Sequence, residues 1–283
     1  DGAVLIPQVA ARPGGMLLGV ASYHAFMRRP TFRRLEDELA LDELLEAMRR
    51  PEVKEAILSE TDLPVDPRRQ FETLTENAPY MFGLMFPLGD PPEYEPTPEQ
   101  SIAGIAEATG RDPWEVLYDH LAAGELILGA FTNYAQKTQD PLEAMILHPD
   151  TVIGLSDGGA HVKMICDASA PTYLLTHWAR DRSRGRTIDL ETVVRKQAAG
   201  TAAVVGLTDR GTIEVGKRAD LNVIDFEPLT LPPPRSIPDL PAGGRRILQD
   251  ATGYVATIVR GVVTRRNDTD TGARPGRLVR ATH

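Results

Sequence analysis

The sequence predicts an α/β fold, and three features carry that prediction. The apolar run at residues 152–155 is typical of a strand buried on both faces, and residues 3–10, rich in Val, Leu and Ile, indicate another. Residues 31–60 carry leucines at helical spacing, which predicts amphipathic helices. Beyond Gly211 the pattern changes to short β-rich runs, which predict a small β domain at the end of the chain.

The remaining elements follow from periodicity and from Pro and Gly punctuation. Helices are expected at residues 31–60 (divided at Pro51), 102–109, 113–123, 142–147, 171–184 and 190–199, and strands at residues 125–131, 213–215, 221–226 and 254–264. Arg260-Gly261 is typical of a hairpin turn inside the last strand region.

Residues 61–100 hold many prolines and predict a long irregular segment of the kind that forms lids and binding loops. Its apolar side chains have two interpretations. They could line a pocket for an acyl chain, or they could form a satellite core beneath the loop. The residues concerned are Tyr80, Met81, Phe82, Met85 and Phe86.

A polar motif, Ser156-Asp157-Gly158-Gly159-Ala160-His161, directly follows the strand predicted at residues 152–155. Catalytic groups of α/β folds collect at the carboxyl ends of buried strands, and paired glycines allow a ligand to come close. Asp157 is therefore a candidate catalytic carboxylate, with His161 and Lys163 as candidate substrate-binding groups. The alternative is an Asp that caps the next helix beside a solvated His.

Arg12 follows the strand predicted at residues 3–10 and precedes Pro13-Gly14-Gly15. We expect it near the mouth of the site, where its guanidinium would bind a substrate carboxylate in a bidentate fork. The alternative is a surface Arg beside a turn.

Composition excludes several classes of protein. The formal net charge of −9 argues against nucleic-acid binding, which needs a basic surface. No apolar run approaches the roughly 18 residues of a membrane span, and no signal-peptide pattern is present. The single Cys166 excludes an intrachain disulfide and fits a reducing compartment. We therefore expect a cytoplasmic protein without a membrane or nucleic-acid partner.

The run at residues 211–225, GTIEVGKRADLNVID, resembles the C-terminal signature of the amidohydrolase superfamily. Two further motifs point to its N-acyl-D-amino-acid deacylase (D-aminoacylase-like) branch: Ser156-Asp157-Gly158 matches the last barrel strand, and the run GARPGR at residues 272–277 matches the C-terminal tail. The resemblance covers residues 101–283 well and residues 1–60 more loosely.

This resemblance implies the C-terminal part of a (β/α)8 TIM-like barrel with an inserted helical and loop region and a small C-terminal β domain. The implied divisions are a barrel strand and loop at residues 1–28, a helical and Pro-rich insertion at 29–100, the end of the barrel at 101–210, and a small β-sandwich at 211–283.

The implied reaction is cleavage of the amide bond of an N-acyl-D-amino acid by metal-activated water, with a divalent metal such as zinc. Asp157 would move the proton from water to the leaving amine and contact the metal, while Arg12, His161 and Lys163 would bind substrate. Two alternatives remain open. One is a cyclic-amide hydrolase of the hydantoinase or dihydroorotase kind, which shares the Gly-Lys-Arg-Ala-Asp-Leu signature. The other is an inactive fragment or interaction module.

The resemblance also implies metal ligands that this sequence does not contain. The family's first barrel strand carries a His-X-His pair, whereas the six histidines here are never spaced in that way. By motif order the chain resembles a C-terminal half. We therefore expect it to need the N-terminal half of the same protein, or another chain, as its partner, and homo-oligomerisation is left open.

Overall fold

A computed structural model describes residues 4–69, 71–154, 156 and 159–279, and it shows the mixed α/β class that the sequence predicts. The α-helices are α1 Pro30–Glu38, α2 Leu41–Met48, α3 Pro51–Ser59, α4 Ala78–Met81, α5 Ile102–Thr109, α6 Pro113–Ala122, α7 Asp140–Leu147, α8 Ala170–Tyr173, α9 Leu190–Arg195 and α10 Thr201–Val204. The strands are β1 Gln8–Val9, β2 Gly14–Leu18, β3 Met85–Pro87, β4 Ile127–Thr132, β5 Val152–Ile153, β6 Leu221–Ile224, β7 Arg235–Ile237, β8 Arg246–Leu248, β9 Tyr254–Val259, β10 Val262–Arg266 and β11 Thr269–Asp270.

Local capping explains why the predicted helices begin and end where they do. The Ser101 hydroxyl accepts the backbone N–H of Gly104 at 3.0 Å at the start of α5, which ends at Gly110 with φ of 66°. The Asp112 carboxylate accepts the N–H of Trp114 at 2.7 Å at the start of α6. The helices expected at 102–109 and 113–123 are thereby confirmed.

Strands β1 and β5 pair in parallel, with Gln8 opposite Val152 and Val9 opposite Ile153. The strands expected at residues 3–10 and 152–155 are thus present, but each is only two residues long in the described part of the chain. The expected burial of the first is wrong for Val4, Leu5 and Ile6, which are exposed. Because parallel strands end at the same edge, this pair brings the segment after β1 and the segment after β5 together.

A three-stranded antiparallel sheet, in the order β2-β4-β3, was not expected from the sequence. The sequence indicated only that a strand ends before Pro13-Gly14-Gly15, but Gly14 and Gly15 themselves pair with β4 across a very close contact. A Cβ atom built on Gly15 would lie 2.0 Å from the carbonyl oxygen of Gly129. Glycine therefore permits the approach of the two strands here.

The C-terminal strands form one antiparallel sheet, in the order β11-β10-β9-β6, and a separate β7-β8 ribbon. Arg260 and Gly261, with φ of 54° and 77°, make the expected tight turn between β9 and β10. The strand expected at residues 213–215 is wrong. Ile213 and Val215 are fully exposed, and the segment forms turns and bends.

Two of the predicted helices contain π-helical turns. The helix expected at 171–184 consists of α8 continued by the π-helical segment Leu174–Asp181, and α9 continues into a second such segment, Lys196–Gly200. The π-helical turn holds Lys196 inside the protein, where its ammonium donates to the carbonyl oxygens of His148 at 2.5 Å and Thr151 at 3.0 Å.

Two hydrophobic cores hold these elements. One lies around β2, α1–α3, α5 and α6 and includes Phe26, Phe32 and Tyr118. The other includes Ile247 of β8, Val9 of β1 and Tyr173 of α8, so it joins the β7-β8 ribbon to the β1-β5 pair and to α8. Among the described helices, none is both long enough and apolar enough to cross a bilayer.

Candidate functional site

The carboxyl ends of β1 and β5 place two of the predicted site segments at one edge. Arg12 follows β1, and the Ser156–Asp157 segment follows β5. Asp157 itself lies outside the described residues, so its predicted catalytic and metal-binding roles stay predictions. Ser156, next to it, is exposed, and its hydroxyl donates to the carbonyl oxygen of Ala168 at 3.4 Å.

Arg12 is buried rather than open to solvent. Its Nη2 atom donates to the carbonyl oxygen of Cys166 and to Asp167 Oδ1 at 3.2 Å, and its guanidinium lies 4.3 Å from the centre of the Tyr94 ring. Its Nη1 atom is also buried and has no hydrogen-bond partner among the described residues. A gap of about 10 Å³ adjoins this side chain, room for roughly one water molecule. A carboxylate would reach Arg12 only after displacing part of this packing.

His161 and Lys163 lie on the 159–167 loop, which is held by further hydrogen bonds besides the two from Arg12. The backbone N–H groups of Leu17 and Ile247 each donate at 2.8 Å to carbonyl oxygens of this loop. The Ser22 hydroxyl donates at 2.5 Å to the carbonyl oxygen of Lys163. The loop is thus held against β2 on one side and β8 on the other, which fixes the starting points of both side chains.

Both side chains meet the same aromatic pair. Tyr23 and Phe71 contact each other edge to face, with ring centres 5.4 Å apart. The exposed His161 ring is perpendicular to Phe71 at 5.0 Å, and the Lys163 ammonium lies 5.2 Å from the centre of the Tyr23 ring. Two of the predicted substrate-binding residues therefore converge at one place.

Behind this pair lies a cavity of about 310 Å³. We call it the methionine cavity, because its walls include four of the seven methionines, namely Met16, Met27, Met81 and Met85. Its size is at the lower end of the range of small-molecule sites. Met81 and Met85 belong to the set that the sequence suggested for an acyl pocket. Of the others, Tyr80 is exposed, whereas Phe82 and Phe86 are packed in the two cores.

His24 was not singled out in the sequence, yet it forms part of the cavity wall. It is 4% exposed, its ring packs edge to face on Phe32 at 4.4 Å, and its Nδ1 accepts the N–H of Phe26 at 3.2 Å. Burial, together with the nearby charge of Lys163, lowers the pKa of His24 to about 3. His24 is therefore neutral at neutral pH. The only sequence signal was the place of Tyr23-His24 just beyond β2.

A second polar cluster lies deeper, around the fully buried guanidinium of Arg182. This group donates to Glu95 at 3.0 Å and to Asp140 and Glu143 at 2.6 Å each. Burial would raise the pKa of the Glu95 carboxyl, but the hydrogen bonds from Arg182 and the His177 imidazole, whose Nε2 lies 3.2 Å from Glu95 Oε2, outweigh it and lower that pKa to about 2. The cluster joins the Pro-rich segment to α7 and to the helix after α8, so we assign it to structure.

The described residues do not fit a metal centre by themselves. Within them, no group of three or more His, Cys, Asp or Glu side chains is arranged to hold an ion. Cys166 is buried beneath Arg12, and burial raises the pKa of its thiol, which disfavours the thiolate that binds metals.

Comparison with known proteins places these observations in a family. No curated protein matches the sequence significantly. Three solved structures do: a D-aminoacylase described as defining a novel subset of amidohydrolases, a mutant D-aminoacylase with copper chloride, and a D-aminoacylase studied for its binuclear metal centre. Each is 22% identical over 82% of this chain and 44% of the other, with TM-scores of 0.38, 0.37 and 0.37, so the chain spans less than half of their length.

The sequence profile of the amidohydrolase family matches residues 7–265. This match runs from β1 through the 159–167 loop to β10 and covers most of the chain, and the chain therefore belongs to the amidohydrolase family.

Proposed function

We propose that this chain forms part of a metal-dependent hydrolase that cleaves the amide bond of N-acyl amino acids, with the D-enantiomers as preferred substrates. The observation that carries the proposal is the convergence of Lys163 and His161 on the rim of an apolar cavity, on the loop that follows Ser156-Asp157. An N-acyl amino acid has the matching chemistry, because it joins an apolar group to a free carboxylate through an amide.

In this proposal Asp157 is the carboxylate that receives a proton from water and delivers it to the leaving amine. A bound divalent ion, zinc in the family that the motifs resemble, would lower the pKa of that water. The ligands of the ion would come mostly from an N-terminal segment of the same protein or from another chain, since the described residues contain no ligand cluster.

The described residues bind and position the substrate. The cation of Lys163 attracts the substrate carboxylate, and its neighbour Tyr23 supports the ammonium by a cation–π contact. Arg12 is the second candidate for this carboxylate through its unpaired Nη1 atom. His161 projects from the same loop and would donate to a substrate oxygen.

The test is a substrate comparison on the protein together with the N-terminal segment. N-acyl-D-amino acids, their L-enantiomers, and a hydantoin and a dihydropyrimidine as cyclic amides are assayed at equal concentration. We expect turnover of the N-acyl-D-amino acids at least tenfold faster than that of any cyclic amide. Preferential opening of a cyclic amide would support the hydantoinase-like alternative. If no substrate is turned over, the result would support the alternative of an inactive fragment or interaction module.

A further inference from the structure

We propose that the methionine cavity is the site for the acyl chain, not for the amino-acid side chain, and that it selects medium-length acyl groups over acetyl. This inference rests on the proposed function and names its substrate class more narrowly. The arguments are the volume of the cavity, the chemistry of its wall, and the position of the Lys163 cation at its rim.

Volume indicates how much of the ligand the cavity takes. At about 310 Å³ the cavity is of the size that takes a small-molecule ligand, and it is far larger than the roughly 10 Å³ in which a single water molecule fits. An acetyl group would leave most of that space empty. An acyl chain on the order of eight to ten carbons makes use of it.

The wall suits a flexible chain. Methionine side chains are unbranched and adapt their shape to a ligand, and four of them line the cavity. Buried Ala25 and Ala78 leave the interior space open, while the partly exposed Met81 and Phe71 lie at the rim. The neutral His24 adds no charge that would oppose an apolar chain.

Charge orients the ligand. The Lys163 ammonium lies over Tyr23 at the rim, so an anionic group stays outside while the apolar part enters. In an N-acyl amino acid the carboxylate is separated from the acyl chain by the amide bond. Placing the carboxylate at Lys163 and the chain in the cavity therefore leaves the amide between them, on the side of the 159–167 loop.

The experiment measures equilibrium binding by calorimetry, with the Asp157→Asn protein combined with the N-terminal segment so that ligands are not consumed. The probes are N-acylglycines from acetyl to dodecanoyl, because glycine has no side chain to compete for the cavity. We expect affinity to rise roughly threefold to fourfold per methylene until about ten carbons and then to level off. A flat profile across the series would overturn the inference.

Two matched pairs of variants test the location. Ala78→Leu fills part of the cavity and should shorten the preferred chain by about three carbons, whereas Ala108→Leu, on the exposed face of α5, should leave the profile unchanged. Lys163→Met should weaken the binding of every N-acylglycine roughly fivefold and leave the chain length of the plateau unchanged. Lys217→Met removes the same charge elsewhere and should leave the affinities unchanged. An unshifted plateau in Ala78→Leu would place the chain elsewhere.

A further ligand separates this inference from the proposed function. N-acetyl-D-phenylalanine carries its apolar group on the amino-acid side. If it binds as tightly as N-octanoylglycine, the cavity takes the side chain, and the inference fails although the hydrolase proposal stands. If N-octanoylglycine binds with the expected profile but the unsubstituted protein hydrolyses no N-acyl-D-amino acid, the proposed function fails while the ligand class is retained.

Discussion

At the level of single residues, Asp157 is the group on which the proposed reaction depends most directly. Asp157→Asn keeps the size of the side chain but removes its capacity to accept a proton. We expect kcat to fall by roughly 10²–10⁴-fold, with an unchanged melting temperature. Asp150→Asn is the matched control, since Asp150 is exposed at the turn before β5. Activity of Asp157→Asn within a few-fold of the unsubstituted protein would show that another group moves the proton.

Arg12 has a structural role in addition to its predicted binding role. Removing it leaves Asp167, whose side chain is 16% exposed, without its cation. If Arg12 also binds the substrate carboxylate, Arg12→Ala should raise KM for N-acyl amino acids roughly 10–100-fold and raise it little for the matching uncharged amides. Kinetics on both substrate types decide the matter, with Asp167→Asn as the variant that removes the ion pair but keeps the Arg12 guanidinium. Equal losses on both types would leave Arg12 with the structural role alone.

The sequence offered candidate binding residues but not their surroundings. Lys163 and His161 were proposed from their distance to Asp157 along the chain, because that relation is local, and their binding roles stay predictions. The involvement of Tyr23, Phe71 and His24 could not be found in this way, since they meet the 159–167 loop only after β2 and the Pro-rich segment have packed. The burial of Arg12 was missed for the same reason: Tyr94 and Asp167 are distant in sequence.

At the level of elements, Gly15 controls the pairing of β2 with β4. A methyl group on this residue would overlap the carbonyl oxygen of Gly129, which belongs to the backbone and cannot rotate away. We expect Gly15→Ala to lower the free energy of unfolding by about 2–3 kcal/mol. Gly83→Ala is the control, because nothing lies within 4 Å of a Cβ built there. Chemical denaturation of both variants measures the difference. Equal free energies of unfolding would mean that β2 and β4 move apart at Gly15 without a loss of stability.

Local and non-local signals also explain which elements the sequence predicted. Helices α5 and α6 carry their apolar stripe and their capping residues within one short stretch. Their predicted bounds therefore agree closely with the observed ones. The run at 213–215 has the composition of a strand, but a strand needs a neighbour, and this segment has none in the part of the chain that the structure describes. Composition alone does not show whether that neighbour exists.

The Glu95–Arg182 cluster gives stability a defined pH dependence. Because the pKa of Glu95 is about 2 in the folded state, against an ordinary value of 4.5, its contribution is complete above pH 4.5 and is lost as the pH falls towards 2. The shift corresponds to about 3 kcal/mol. The free energy of unfolding of Glu95→Gln should therefore vary less between pH 5 and pH 2 than that of the unsubstituted protein. Glu52→Gln, an exposed residue on α3, should leave the profile as it is. Parallel profiles for Glu95→Gln and the unsubstituted protein would contradict the assignment.

At the level of the whole molecule, the chain presents features that a partner segment would complete. Within the described residues β1 and β5 pair only with each other, and unpaired edges of this kind are usually covered in folded proteins. Val4 and Leu5, just before β1, are 83% and 82% exposed. Together with the lack of a ligand cluster in the described part, these features support the proposal that an N-terminal segment, in the same protein or in another chain, packs here and brings the metal ligands.

We therefore expect residues 1–283 produced alone to bind no stoichiometric metal and to hydrolyse no N-acyl amino acid, because a single Asp157 carboxylate does not hold a divalent ion tightly in water. Adding the N-terminal segment should restore both properties and should protect the residues around β1 from hydrogen exchange. Elemental analysis after gel filtration, an amidase assay and hydrogen exchange, each with and without that segment, make the comparison. The matched control is the reconstituted protein with Asp157→Asn, which should regain the exchange protection but not the activity. A monodisperse, monomeric preparation of residues 1–283 with tightly bound zinc and amidase turnover would refute the proposal.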